Sequence, residues 1–121
     1  MGYNLYIIDP DGSINTIQWT KKDKPTFEDM YPLIGCDTIQ ISTVYLPEFS
    51  NRKDGYVQIH IDEEGLFKDP IPQVNRRITS AWYKWQEKTG HMCIPGDQIR
   101  GKVAIIQKTD AAERKAAPVK Q

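Results

Sequence analysis

Cysteine, histidine and long apolar runs are all scarce in this chain, and each scarcity closes off a class of function. The two cysteines, Cys36 and Cys93, have no metal-type spacing and no partner cluster, so they read as free thiols in a reducing compartment rather than a disulfide. No apolar run approaches the roughly 20 residues that cross a bilayer, so no membrane partner is expected. The start, MGYNLYIIDPDG, lacks a basic n-region and a long apolar h-region, so no signal peptide is evident. Tyr6 stands where a myristoylation signal needs Ser or Thr. These absences together make a cytoplasmic protein the expectation. Catalytic signatures are missing too: there is no G-x-S-x-G elbow, no phosphate-binding glycine loop, no H-E-x-x-H and no C-x-x-C. Cys93 beside His91 suggests a thiol nucleophile, but two loop residues so close in sequence do not define a base and nucleophile geometry. The expectation is a protein that is not an enzyme and needs no cofactor.

What is present describes an ordinary globular chain. Its 121 residues suit one domain, with 39% hydrophobic and 26% charged residues. The formal net charge is zero but unevenly spread. Residues 1–74 hold six Lys/Arg against twelve Asp/Glu and residues 75–121 hold ten against four, so the halves carry −6 and +6. Such asymmetry can mark a charged partner; two halves interleaved in one fold would instead neutralise each other.

The most strongly patterned stretch is Val74 to Lys88, VNRRITSAWYKWQEK. Ile78, Ala81, Trp82 and Trp85 fall at i, i+3, i+4 and i+7, the spacing of one helical face. With Val74 they fill an apolar arc of about 100°, which calls for a flat covering surface such as a sheet. Asn4 to Asp9 and Ser13 to Trp19, joined by Pro10-Asp11-Gly12, read as a β-hairpin. Thr20 to Pro25 is a polar connector with the basic cluster Lys21, Lys22 and Lys24. Thr26 is a good N-cap, with Glu28 and Asp29 in the first turn, and predicts a short helix from Phe27 to about Ile34 closed by Gly35. Pro32 should shorten or distort that helix. Thr38 to Leu46 is a strand whose alternation changes phase, which predicts a β-bulge near Ser42-Thr43 or burial on both faces. Tyr56 to Asp62 alternates cleanly, with Val57, Ile59 and Ile61 inward and Gln58, His60 and Asp62 outward. Gln98 to Gln107 is a last, central strand. Residues 1–108 then form one α+β domain: a mostly antiparallel sheet of about five strands, one long amphipathic helix packed on it and one short helix. Residues 109–121 lack apolar periodicity and read as a disordered tail.

Two surfaces could carry contacts. Asp62, Glu63 and Glu64 make an acidic turn, and His60 and Asp62, two apart on a strand, could share a metal or a proton. One histidine with one carboxylate is a common chance pairing, so no metal site is assigned. On the long helix, Arg77, Lys84 and Lys88 lie within about 40° of one another beside the apolar arc, with Arg76 and Tyr83 on the outer side. That stripe suits phosphate or an acidic partner; it equally suits long stems covering the rim of the tryptophan face.

From Tyr31 onward the order of features resembles a small family of unknown function found largely in phage and plasmid genomes. The residues concerned are Tyr31-Pro32-Leu33-Ile34-Gly35, Ile61-Asp62-Glu63-Glu64-Gly65-Leu66, Asn75 at a helix start, Pro95-Gly96-Asp97 and Gly101. The resemblance covers about residues 31–107 and carries no catalytic residue. It implies a mobile-element accessory protein acting in the host cytoplasm. The leading expectation is therefore a non-enzymatic protein that binds a host protein, in host takeover or counter-defence, through the acidic turn and the basic stripe. A nucleic-acid or nucleotide binder using the stripe with Tyr83 is the alternative, and a metal-dependent enzyme at His60 and Asp62 a third. Nothing in the sequence sets the oligomeric state.

Overall fold

The computed structural model describes residues 2–90 and 98–108. The expected loop from His91 to Asp97, with Cys93, and the expected tail from 109 lie outside the described residues. Five strands form one antiparallel sheet: β1 (Tyr3–Ile8), β2 (Ile14–Trp19), β3 (Ile39–Tyr45), β4 (Tyr56–Asp62) and β5 (Val103–Lys108), ordered β2-β1-β5-β4-β3. Helix α1 (Phe27–Ile34) follows β2, and helix α2 (Arg76–Thr89) precedes β5. The last strand thus inserts at the centre of the sheet, beside β1 and β4. This is an α+β arrangement, as the patterning predicts. Among the described residues no helix is long and apolar enough to cross a membrane.

Local chemistry sets the element ends. Gly12, at φ 92°, makes the hairpin turn from β1 to β2, closed by the Asp9 N–H donating to the Ser13 carbonyl at 2.9 Å. Thr26 and Asp29 form a capping box at the start of α1, and Gly35 ends it in the left-handed region. Pro32 sits inside α1 without ending it.

The sheet is covered on both faces. On one lie Ile8, Val44, Ile59, Val103 and Ile105 with Ile78 and Ala81 of α2; on the other lie Leu5, Ile7 and Ala104 with Met30 and Ile34 of α1. Two covered faces account for the phase change in β3. Its register with β4 is unbroken from Ile39↔Asp62 to Tyr45↔Tyr56, so there is no bulge. Val44 faces the α2 side, while Ile39 belongs to the α1 side. The same two-sidedness corrects the outward assignment of β4: His60 is only 6% exposed, covered from the α1 side.

The long helix also differs in detail. Val74 bridges to Arg100, and α2 begins at Arg76. Its buried residues include Thr79 and Gln86 as well as Ile78 and Ala81, whereas Trp82 and Trp85 are half-buried. At ~100° per residue, the buried residues centre about 25° from the midpoint of the two tryptophans, toward Thr79. The cause is the segment 98–101, which runs beside α2 rather than starting the strand. Thr79 Oγ1 donates to the Ile99 carbonyl at 3.2 Å and accepts from the Ile99 N–H at 3.0 Å, so a polar side chain is buried without loss.

Asn75 is the fully buried joint of this side. Its Oδ1 caps α2 by accepting from the Ile78 N–H at 3.3 Å. Its Nδ2 donates to the carbonyls of Ile8 at 3.0 Å and Gly101 at 3.1 Å. One amide therefore fastens the helix start, the end of β1 and the approach to β5.

Candidate functional site

Strands β4 and β5 share a single pair, His60↔Ala104. Continued antiparallel pairing would set Gln58 across from Ile106 and Tyr56 across from Lys108, but the ladder stops. There the segment following a 3-10 turn at Pro47–Phe49 takes over as the partner of β5. Asn51 Nδ2 donates to the Lys108 carbonyl at 3.2 Å, and Gln107 Nε2 donates to the Phe49 carbonyl at 3.4 Å. The parting strands leave a cleft of about 620 Å³.

Its lining grades from apolar to charged. Phe49 and His60 are buried, Val57 and Ile106 half-buried, and Lys24, Arg52, Gln58 and Lys108 exposed. Tyr3, Thr43, Asn51 and Tyr56 complete the wall. Strand alternation places Tyr3, Gln58, His60, Ile106 and Lys108 on the α1 side of the sheet. Lys24 reaches the same side from the connector that enters α1.

The electrostatics are one-signed. Three cations line the cleft and no carboxylate does. Arg52 is held by Asp54, with Nη2 to Oδ2 at 2.6 Å, so that pair is nearly neutral. Among the described residues, the ammonium groups of Lys24 and Lys108 have no ion-pair or hydrogen-bond partner. Deeper in, His60 Nδ1 lies 3.2 Å from the Ala104 carbonyl. A carbonyl only accepts, so Nδ1 carries the hydrogen and Nε2 is left as an acceptor. Burial pushes the imidazole below its usual pKa, and nearby Lys24 does so further, against the raising effect of the Ala104 bond. The ring is thus neutral at pH 7. The edge of Phe27 packs on it, with ring centroids 6.0 Å apart.

The residues singled out from the sequence lie elsewhere, apart from His60. Asp62 is only 9% exposed through its side chain and is paired with Lys68 at 2.5 Å, while its Oδ1 accepts from the Glu64 N–H. His60 and Asp62 do share a face, yet each is committed to a different partner. Among the described residues no group of three or more His, Cys, Asp or Glu could hold a metal. Glu63 and Glu64 are exposed on the turn.

The basic stripe of α2 largely faces its own protein. Arg77 Nη2 is 2.7 Å from Glu48 Oε2, and its guanidinium stands 5.5 Å from the centre of the Phe49 ring. Lys88 lies 4.6 Å from the centre of the Tyr45 ring. Tyr83 stacks on Trp82 at 5.8 Å, and Arg76 and Lys84 are exposed. The stripe is a seam between α2 and the end of β3.

Of the connector lysines, Lys21 stands over Trp19 and Lys24 lines the cleft. Tyr3, Asn51, Arg52, Tyr56, Gln58 and Lys108 escape sequence reading because strand order brings them together. The one available signal is the polar alternation of Gln58 and His60. A second cavity, of about 250 Å³, is lined by Lys68, Arg100 and Lys102 together with Asp62; there Asp62 and the Gly35 carbonyl engage Lys68 and the Pro72 carbonyl engages Arg100, so its lining is mixed in sign. Of these two cavities, the cleft between β4 and β5 is the larger and has cations but no carboxylate in its lining. Comparison with family models, with curated proteins and with solved structures finds no match for the chain, including for the resemblance drawn from its turn motifs.

Proposed function

We propose that this protein is a non-enzymatic binding module that takes an anionic ligand in the cleft between β4 and β5. The observation that carries the reading is a concave site of about 620 Å³ with three cations and no carboxylate in its lining. Sites for small ligands commonly span roughly 300–1,000 Å³ and combine apolar walls with a few convergent polar groups. The basic stripe on α2 is the weaker surface, since Glu48 already holds Arg77 and Lys88 already lies over the Tyr45 ring. Calorimetric titration with pyrophosphate at low salt tests the reading. Binding should weaken steeply with added salt and disappear in a Lys24→Glu/Lys108→Glu variant. Undiminished binding in that variant would reject the cleft.

A second reading, capture of a host protein in the mobile-element setting that the resemblance implies, is favoured by two exposed apolar side chains. Phe67 is 86% exposed and Ile71 54% exposed, both close in sequence to the acidic turn Asp62 to Glu64. Under this reading Phe67→Asp abolishes partner capture from host lysate, and capture that survives the substitution counts against it.

A further inference from the structure

We infer that the anion is the phosphate monoester of a nucleotide, either free or at the end of a nucleic-acid strand, with its base held against the tyrosine-lined wall. This rests on the anion-binding reading above and adds the ligand's class to it.

Charge comes first. Lys24 and Lys108, whose ammonium groups have no partner among the described residues, match an anion of about two negative charges, which a phosphate monoester carries near neutral pH. One carboxylate would leave half of that charge unanswered.

The remainder of the lining suits a planar, polar body rather than bare phosphate. Tyr3 and Tyr56 stand on opposite sides of the parted strands, in β1 and β4, and their hydroxyl groups have no hydrogen-bond partner among the described residues. Aromatic rings in such walls bind bases by stacking. The Gln58 amide likewise has no partner among the described residues, and so supplies both a donor and an acceptor. Asn51 is already committed, its Nδ2 donating to the Lys108 carbonyl at 3.2 Å. His60 adds an acceptor at Nε2, because the Ala104 carbonyl fixes the hydrogen on Nδ1. Inorganic phosphate has only its P–OH hydrogens to offer these acceptors. A base with ring and exocyclic N–H groups uses them.

The burial of the lining residues also differs along the cleft. The cations are on exposed residues at its rim, whereas Phe49 and His60 are buried at its floor. Phosphate outside and base inside is the orientation this grading favours.

The test is a set of calorimetric titrations on the full chain with inorganic phosphate, ribose 5-phosphate, the four nucleoside monophosphates, and a dinucleotide with and without a 5′-phosphate. At least one nucleoside monophosphate should bind about tenfold or more tighter than ribose 5-phosphate, the gain from one stacked base. Tighter binding of the 5′-phosphorylated dinucleotide than of any free nucleotide would identify a strand end as the source; the reverse order would identify the free nucleotide. Lys108→Ala should weaken inorganic phosphate and nucleotides alike. Tyr56→Leu and the exposed-site variant Gln58→Ala should weaken nucleotides only. Equal affinity for ribose 5-phosphate and every nucleotide would overturn the nucleotide assignment while leaving an anion site. Absence of binding by every phosphate would overturn both.

Discussion

Replacing Asn75 by alanine removes two buried hydrogen bonds and one half-buried one at a single position, which makes it the sharpest probe of how the α2 side is fastened. The Ile78 N–H loses its cap, the buried Ile8 carbonyl loses a donor, and so does the half-buried Gly101 carbonyl. Losing an N-cap costs about 1 kcal/mol. Each buried carbonyl left unpaired costs about 1–3 kcal/mol, less whatever its remaining partner recovers. A loss of about 3–5 kcal/mol follows, a large share of the roughly 5–15 kcal/mol by which such domains are stable. Urea unfolding followed by tryptophan fluorescence should show a midpoint lower by about 2 M with an unchanged slope, given slopes of about 1–3 kcal/mol/M. Asn75→Asp separates the two contributions. It keeps an acceptor for the Ile78 N–H and adds a negative charge that suits a helix N-terminus, yet it sets a carboxylate oxygen against two carbonyls. Aspartate should therefore be at least as damaging as alanine. An aspartate variant near wild-type stability, or an alanine variant losing under about 1 kcal/mol, would refute the role of Nδ2 as the fastening donor.

Three further outcomes follow from the same contacts. His60 has a folded-state pKa below its usual 6.5, chiefly through burial, so between those two values the unfolded chain binds more protons. Its contribution to stability is therefore complete above about pH 6.5 and is lost as pH falls below it. Urea midpoints between pH 7.5 and pH 5 should drop in the wild type and drop less in His60→Gln; identical profiles would contradict the buried neutral ring. At Gly55, φ is +79° and an added Cβ would lie 2.7 Å from Tyr45 Cε1, so Gly55→Ala should lower stability by about 1–3 kcal/mol in the same assay. Thr26→Ala breaks the capping box of α1 and should cost about 1 kcal/mol, a difference a thermal melt resolves.

Features governed by neighbouring residues are legible in the sequence alone. Thr26 and Gly35 bound α1, Pro10-Asp11-Gly12 turns the hairpin, and Gly90 ends α2 because each acts through hydrogen bonds or φ values a few residues away. The strand β4 is legible through its period of two, but its direction of exposure is not. A polar residue such as His60 reads as outward until a second covering layer, here α1, is known to exist. The turn of the α2 face toward Thr79 depends on Ile99, which is distant in sequence but donates and accepts at the same hydroxyl. The cleft is hidden for a related reason. It exists because β5 enters between β1 and β4 and then parts from β4 after one pair, and no local pattern encodes where a ladder stops. Arg77 and Lys88 stand out as a stripe by helical spacing, although the groups that engage them, Glu48 and Tyr45, come from a different part of the chain.

If the parted strands, rather than the helix stripe, form the binding surface, a ligand must perturb the cleft and leave α2 alone. Backbone amide shifts of the isotope-labelled chain, followed by nuclear magnetic resonance during a pyrophosphate titration at low salt, distinguish the two surfaces. Saturable shifts should concentrate at Lys24, Asn51, Arg52, Gln58, His60 and Lys108, with Arg77, Lys84 and Lys88 unmoved. Shifts confined to the three α2 residues, or no saturable shifts at all, would contradict the assignment of the cleft.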